Sequence, residues 1–511
     1  MNPPPLNNSR RQWLNHTGAL ALAGLAGIGP ALSGCIAGNN PAAMSSAPTA
    51  EPLGDDNTLL DDLEQRTLAF FWDTTDPRSG LAPDRWPTPS FSSIAAVGFA
   101  LSASVIAVGR GLASHEAARE RTLNTLRFFR DAPQGPKARG MAGHKGFFYH
   151  FLDMQTGERF DKCELSTVDT ALLLAGMLHA AQFFGGNHHA EVEIRRATET
   201  ISERIDWRWA QYRPPSISHG WTPEKGVIPS DWKGYNEAML VYLLALGSPR
   251  GGPNHSAHAV EAEAWAAWTS TYPGHWQLFH GQRMLHFAPL FGHQYTHCWV
   301  DFRGIGDAWL RQVQAAPTGD AGFDYFENSR RATLAQRAYA QANPLGWKGY
   351  GGDIWGITAC DGPADVQRPY RGELRRFISY AGRGVGGHDT FDDGTLAPTA
   401  ALASLPFAPQ IVLPALRALR QQYGAAIYRR YGFVDAFNPS FDFKDVRLSH
   451  GQIVPGIGWV DDDHLGIDQG PIALMAANHR RDEVWQLMRG NASLKQGLRR
   501  AGFAGGWLER A

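Results

Sequence analysis

The sequence predicts an all-α fold, with about a dozen helices paired into a closed double ring and joined by long loops rich in glycine and aromatic residues. Three observations lead there. Apolar residues recur at helical spacing in one segment after another from Asp55 onward. Strand-like alternation is rare and short, Phe147 to Leu152 being the clearest case. The connections near 207–235, 343–363, 380–398 and 432–464 are too long for a simple bundle, whose links are short and polar. No repeat of fixed length marks an open solenoid.

Residues 1–35 read as an address. Ser9-Arg10-Arg11-Gln12-Trp13-Leu14 precedes an uncharged segment from Thr17 to Leu32, a pattern similar to a twin-arginine export signal. Leu32-Ser33-Gly34-Cys35 resembles a lipobox, with Cys35 as the lipidated first residue of a protein anchored to a membrane in the cell envelope or periplasm. An uncleaved anchor or a plain cleaved signal is the alternative; the stretch is short and Gly/Ala-rich for a spanning helix. Residues 36–54, rich in Ala, Pro, Ser, Asn and Gly, form a tether without enough apolar surface to fold. From 55 to 511 no long linker intervenes, which predicts one domain.

Within it, Asn57 is the predicted cap of a helix running toward Pro77. Ser93 to Arg110 reads as a helix buried on most sides, and His115 to Arg130 as an amphipathic one. Further helical patterns cover 166–184, 190–206, 236–246, 257–271, 327–342, 396–404, 408–423, 470–479 and 481–502.

Composition excludes several classes. With 48 basic and 49 acidic side chains and a net charge of -1, the chain lacks the electrostatic footprint of a nucleic-acid binder. After Cys35 only Cys163, Cys298 and Cys360 remain, and no C-x-x-C pair exists, so neither a disulfide framework nor structural zinc is expected. No nucleophile elbow, Walker loop or dinucleotide fingerprint stands in a strand–turn–helix setting, and no cofactor is expected. The 17 Trp are more telling. Trp221, Trp232, Trp347, Trp355 and Trp459 lie in Gly-rich connections, where a flat apolar ring either packs or faces a ligand.

Carboxylates and aromatic rings gathered where loops enter buried helices suit a polar, ring-shaped ligand such as a sugar. Glycosidic cleavage needs an acid for the leaving oxygen and a base or nucleophile across the ring. Glu164 stands before a helix start, and Asp169 opens an apolar face, though Ser166-x-x-Asp169 also reads as a capping box. Glu237 follows Trp232 and Lys233-Gly234-Tyr235-Asn236; a first-turn Glu also complements a helix dipole.

In the segment from His293 to Arg303, two histidines at i, i+4 have metal-ligand spacing. No third ligand follows, so sugar contacts by His297, Asp301 and Arg303, or plain burial, are the better readings. Trp347, Tyr350, Trp355 and Asp361 lie in or just past a Gly-rich loop, and Asp393 in Asp392-Asp393-Gly394. Asp461, Asp462 and Asp463 have the ligand chemistry of a calcium site but read as solvated surface charge, and Asp468 as the cap of a helix starting at Pro471.

Eight ordered segments then carry a resemblance: GFFYHFLDMQTGERF, CELSTVDTALLLAG, GYNEAML, HQYTHCWVDFRG, DYFENSRRATLAQRAYA, WGITACDGP, DDGTLAPTAALASLPFAP and GIDQGPIALM. Together they resemble the bacterial glycoamylase-like family, which includes endo-β-1,2-glucanases and modules of cyclic β-1,2-glucan synthases. The resemblance implies an (α/α)6 toroid and metal-free, inverting, internal cleavage of β-1,2-glucan. It implies Glu237 as acid, Asp169 as base or substrate-orienting group and Glu164 as third carboxylate. Substrate contacts are expected from Tyr235, Trp232, His297, Asp301, Arg303, Trp347, Tyr350, Trp355, Asp361 and Asp393. A transglycosylase on the same glucan and a non-catalytic glycan-binding lipoprotein are the rival readings.

Overall fold

A computed structural model describes residues 53–249, 258–316, 320, 322–386 and 390–509. The export signal, Cys35 and nearly all of the 36–54 tether lie outside the described residues.

The helices are α1 (Asp56–Thr74), α2 (Ile94–Gly109), α3 (His115–Asp131), α4 (Thr167–Phe183), α5 (His189–Arg204), α6 (Met239–Leu246), α7 (Glu263–Thr269), α8 (Ala308–Ala315), α9 (Tyr325–Ala342), α10 (Pro398–Leu402), α11 (Pro409–Tyr423), α12 (Gly466–Arg481), α13 (Glu483–Arg489), α14 (Ala492–Arg500) and α15 (Gly506–Glu509). Strand content is small: nine antiparallel sheets of two or three short strands among the described residues. Several stand directly before a helix. Ser92–Ser93 pairs with Phe151–Leu152 ahead of α2, Leu165–Ser166 with Gly220–Thr222 ahead of α4, and Arg85–Trp86 with His464–Leu465 ahead of α12.

Sequence explains which helices lie inside. α2, α4 and α6 are apolar around their whole circumference and bury nearly every side chain, whereas α3 and α5 carry one apolar stripe and a charged outer face. α2 packs against α4 and α12, α4 against α6, and α10 against α12; α1, α3, α5 and α11 lie over these inner helices. α2 and α4 approach closely because glycines face each other at the crossing. A Cβ on Gly176 would stand 2.0 Å from the Gly98 carbonyl oxygen, and one on Gly98 2.3 Å from that of Leu172. Each glycine costs helix propensity of about 1 kcal/mol against alanine, so the contact offsets a real local penalty.

Boundaries differ from the sequence reading where caps decide. Asp55, not Asn57, caps α1 by accepting from Thr58 N, because Asp55 is the last extended residue. The helical pattern of 481–502 breaks at Gly490, and Asn491 caps α14 through Leu494 N. α12 begins at Gly466, five residues before the predicted start, so Asp468 sits in its first turn and does not cap it. Pro471 lies inside that helix and cannot donate to the Ile467 carbonyl; Tyr295 Oη donates to that oxygen instead, at 3.0 Å. α8 has no counterpart among the predicted helices. No helix of the described residues is long and apolar enough to cross a membrane.

Candidate active site

The beginnings of α2, α4 and α12 and the turn leading into α6 meet around one cleft of about 590 Å³, counting its open mouth. Its polar lining is Ser93, His150, Asp169 and Glu237, and its aromatic lining is Phe291, Tyr295 and Tyr380. Ala95, Val168, Leu172, Ala359 and Ile467 complete the walls. Few polar groups among apolar walls is the usual composition of a ligand site. Helix N-termini gathered here turn the positive ends of their dipoles toward the carboxylates.

Local sequence fixes both acids. Ser166 caps α4, its Oγ accepting from Asp169 N at 3.1 Å while its hydroxyl donates to Asp169 Oδ2. The capping and cleft-lining readings of Asp169 therefore hold together. His150 stands between two carboxylates: Nδ1 is 3.0 Å from Glu164 Oε1 and Nε2 is 3.7 Å from Asp169 Oδ2. Its backbone N–H donates to the Glu164 carbonyl at 2.9 Å, which holds the two residues in register. Glu237 emerges from a turn in which Gly234 takes φ +73° and the Asn236 side chain accepts from Ala238 N at 3.0 Å. Thr296 Oγ1 donates to the Glu237 carbonyl at 3.3 Å.

The structure thus brings Asp169 and Glu237 into one cleft, with Glu164 behind His150. It does not place the other predicted contacts on the cleft lining. Trp232 is buried, donates to Thr167 Oγ1 at 2.9 Å and stacks on His219. Tyr235 bonds Ser329, and burial pushes its phenol up to about 12. The same Ser329 holds His297 Nε2 at 3.0 Å; burial among Phe302, Phe326 and Phe407 pushes that imidazole down to about 3.

Asp301 accepts from Arg303 Nε and Arg489 Nε, while Arg303 reaches Asp482 and covers Trp485, so these charges tie α13 down. Trp347 packs on Tyr370, and Trp355 lies 1% exposed in a core with Ile354 and Ile357. Tyr350 Oη donates to Asp392 Oδ1 at 2.7 Å. Asp393 is locked to Arg383, and Asp361 to Arg85. For Trp and Tyr in Gly-rich loops the driving force is burial of a large apolar ring, which packing satisfies as well as a ligand would.

Asp461 and Asp463 are buried at 0% and 2% exposure, which corrects the reading of solvated surface charge. Burial, together with the charges of Asp361 and Asp435, holds the Asp461 carboxyl well above the usual carboxylate range. Sequence reasoning missed His150, Phe291, Tyr295 and Tyr380 as site residues. His150 lies in the aromatic and acidic segment before α4; the three rings come from distant connections with no shared motif.

An acid-bearing, aromatic-walled cleft at the N-terminal mouths of inner helices defines the class as a helical scaffold with a carboxylate-lined ligand cleft. More particularly, the profile of the Glycoamylase family, described as "Putative glucoamylase", matches residues 229–492, and the chain belongs to that family. It is 25% identical over 481 residues to the exo beta-1,2-glucooligosaccharide sophorohydrolase (non-reducing end) of Parabacteroides distasonis. That match covers 88% of this chain and 58% of the relative, so this chain spans little more than half of the relative's length.

A solved Bacteroides uniformis structure with the same glucoamylase description superposes with a TM-score of 0.73 at 26% identity, covering 90% of this chain and 100% of that one. The beta-1,2-glucanase of Parabacteroides distasonis superposes at 0.70 and 25% identity, covering 88% and 60%. The endo-beta-1,2-glucanase of Chitinophaga pinensis, at 0.70 and 23% identity over 89% and 100%, shares the fold.

Proposed function

We propose that this chain is an exported glycoside hydrolase that cleaves β-1,2-glucan by inversion. Glu237 is the general acid; Asp169 is the base or orients the substrate, and His150 and Glu164 hold Asp169 in place. The observation that carries this reading is the pair of carboxylates, Glu237 and Asp169, lining one cleft with aromatic walls. Names of the relatives support the linkage.

Inner helices covered by outer ones fit a closed (α/α)6 double ring spanning 55–511, held off a membrane by the 36–54 tether and a lipidated Cys35. The test is a reducing-end assay on purified protein with linear β-1,2-glucan and a panel of other glucans. New reducing ends from the β-1,2 polymer alone support the proposal; cleavage of another polymer instead overturns the linkage.

Internal cleavage is our first reading of the mode. End-on release of disaccharide is the second, favoured by the sophorohydrolase relative. A ladder of early products marks the former, and a disaccharide appearing alone from the start marks the latter.

A further inference from the structure

Asp361, Asp435 and Asp461 come from three separate connections, yet one carboxylate oxygen of each lies within 4.8 Å of the other two. All three residues are at most 2% exposed. Two oxygens bound to one calcium at about 2.4 Å stand no more than about 4.8 Å apart, so this spacing is that of a shared hard cation.

A second observation points the same way. Asp461 Oδ1 accepts from Asp463 N at 3.2 Å, but Oδ2, wholly buried, accepts no hydrogen bond among the described residues. A buried carboxylate oxygen without a donor is costly, and a cation that meets it removes that cost. Arg85 neutralises part of the cluster, and its charge reaches Asp461, without a hydrogen bond to Asp461 Oδ2. Its Nη1 meets Asp361 Oδ2 at 2.7 Å and Asp463 Oδ2 at 3.5 Å, and its Nε turns to Asp84 Oδ2 at 3.4 Å.

We infer that Asp361, Asp435 and Asp461 bind a hard, oxygen-preferring divalent cation of the calcium type. Three carboxylates with no thiolate among them suit calcium or magnesium over zinc, and the loose oxygen set favours calcium. The site would also brace the cleft. Strand Ala359–Asp361 carries a wall residue at one end and a ligand at the other. Asp461 is followed within a few residues by His464–Leu465, which pairs with Arg85–Trp86. The inference does not depend on the proposed glucan chemistry.

The test uses the full-length purified protein, stripped with EDTA, desalted and titrated with calcium chloride by calorimetry. Terbium serves as a luminescent substitute excited through the nearby Trp459. We expect about one calcium per chain, a higher Tm with calcium than with EDTA, and terbium emission that calcium displaces. Asp461→Asn should weaken binding at least tenfold, while the neighbouring Asp462→Asn leaves it unchanged. Wild-type protein that binds no calcium at millimolar concentration, or Asp461→Asn that binds as tightly as wild type, overturns the site. If Asp461→Asn does not fold, the wild-type titration and Tm decide alone.

Discussion

Two buried carboxylate regions, the mouth of α4 and the Arg383–Asp393 pair, differ in what their oxygens touch. Asp169 meets a serine hydroxyl and an imidazole, groups that can give or accept a proton. Asp393 meets a guanidinium fork, Nε to Oδ1 and Nη2 to Oδ2, both at 2.8 Å, and also accepts from Thr395 N at 3.2 Å. Arg383 spends its remaining donors on the carbonyls of Cys360, Asp361 and Ile378. A carboxylate saturated by a guanidinium fork and a backbone amide holds loops together. One held by proton-exchanging partners beside a cleft is equipped for acid–base chemistry.

The largest expected effect separates the two directly. Glu237→Gln should lower kcat on β-1,2-glucan by about 10²–10⁴-fold with Tm nearly unchanged, the share that general acid catalysis supplies. Reducing-end assays and calorimetry on the same preparation check it; retained activity ends the acid assignment. Asp393→Asn should do the opposite. Breaking a buried ion pair leaves Arg383 uncompensated and costs about 3–5 kcal/mol of stability, read as a lower denaturation midpoint. The double variant Arg383→Met/Asp393→Leu should recover part of that loss.

Acid sensitivity comes next. Burial holds His179 and His297 down to about 3, so both are neutral in the folded chain at pH 5. The unfolded chain protonates them below about 6.5, so stability falls as pH drops through that value toward 3, by about 1.4 kcal/mol per unit for each histidine. Chemical unfolding between pH 7 and 5 measures the slope. His179 has no hydrogen bond at either ring nitrogen among the described residues, so His179→Leu should stabilise by about 1 kcal/mol and flatten that slope. Comparable in size is the effect of His150→Phe, which keeps the ring stacked on Phe151 but frees Asp169 and Glu164 from their common partner. We expect a kcat loss of about tenfold and a shifted pH–rate profile.

Much of this was legible before any coordinates. Helix periodicity located the inner helices because burial on all sides leaves an apolar run that no loop imitates. Asp169 and Glu237 stood out because each sits where a polar loop meets such a run. Trp232, Trp347 and Trp355 pack inward and do not line the cleft, for a physical reason: a Gly-rich loop bends to present a ring outward or to fold it inward, and local sequence does not encode which. Phe291, Tyr295 and Tyr380 stayed hidden because only tertiary packing brings them beside α4. Asp461 and Asp463 read as surface charge because adjacent acids normally are; the irregular link between Gly458–Val460 and His464–Leu465 turns both inward and leaves Asp462 half-buried.

The Gly98–Gly176 crossing has a mechanical consequence. It lies five residues along α2 from Ser93 and seven along α4 from Asp169, and so sets the spacing of the two helices that carry these cleft residues. A methyl group at either glycine would wedge the helices apart and carry that displacement toward Ser93 and Asp169. The spacing of the two helix mouths at the cleft is thus gauged by two residues that do not line it.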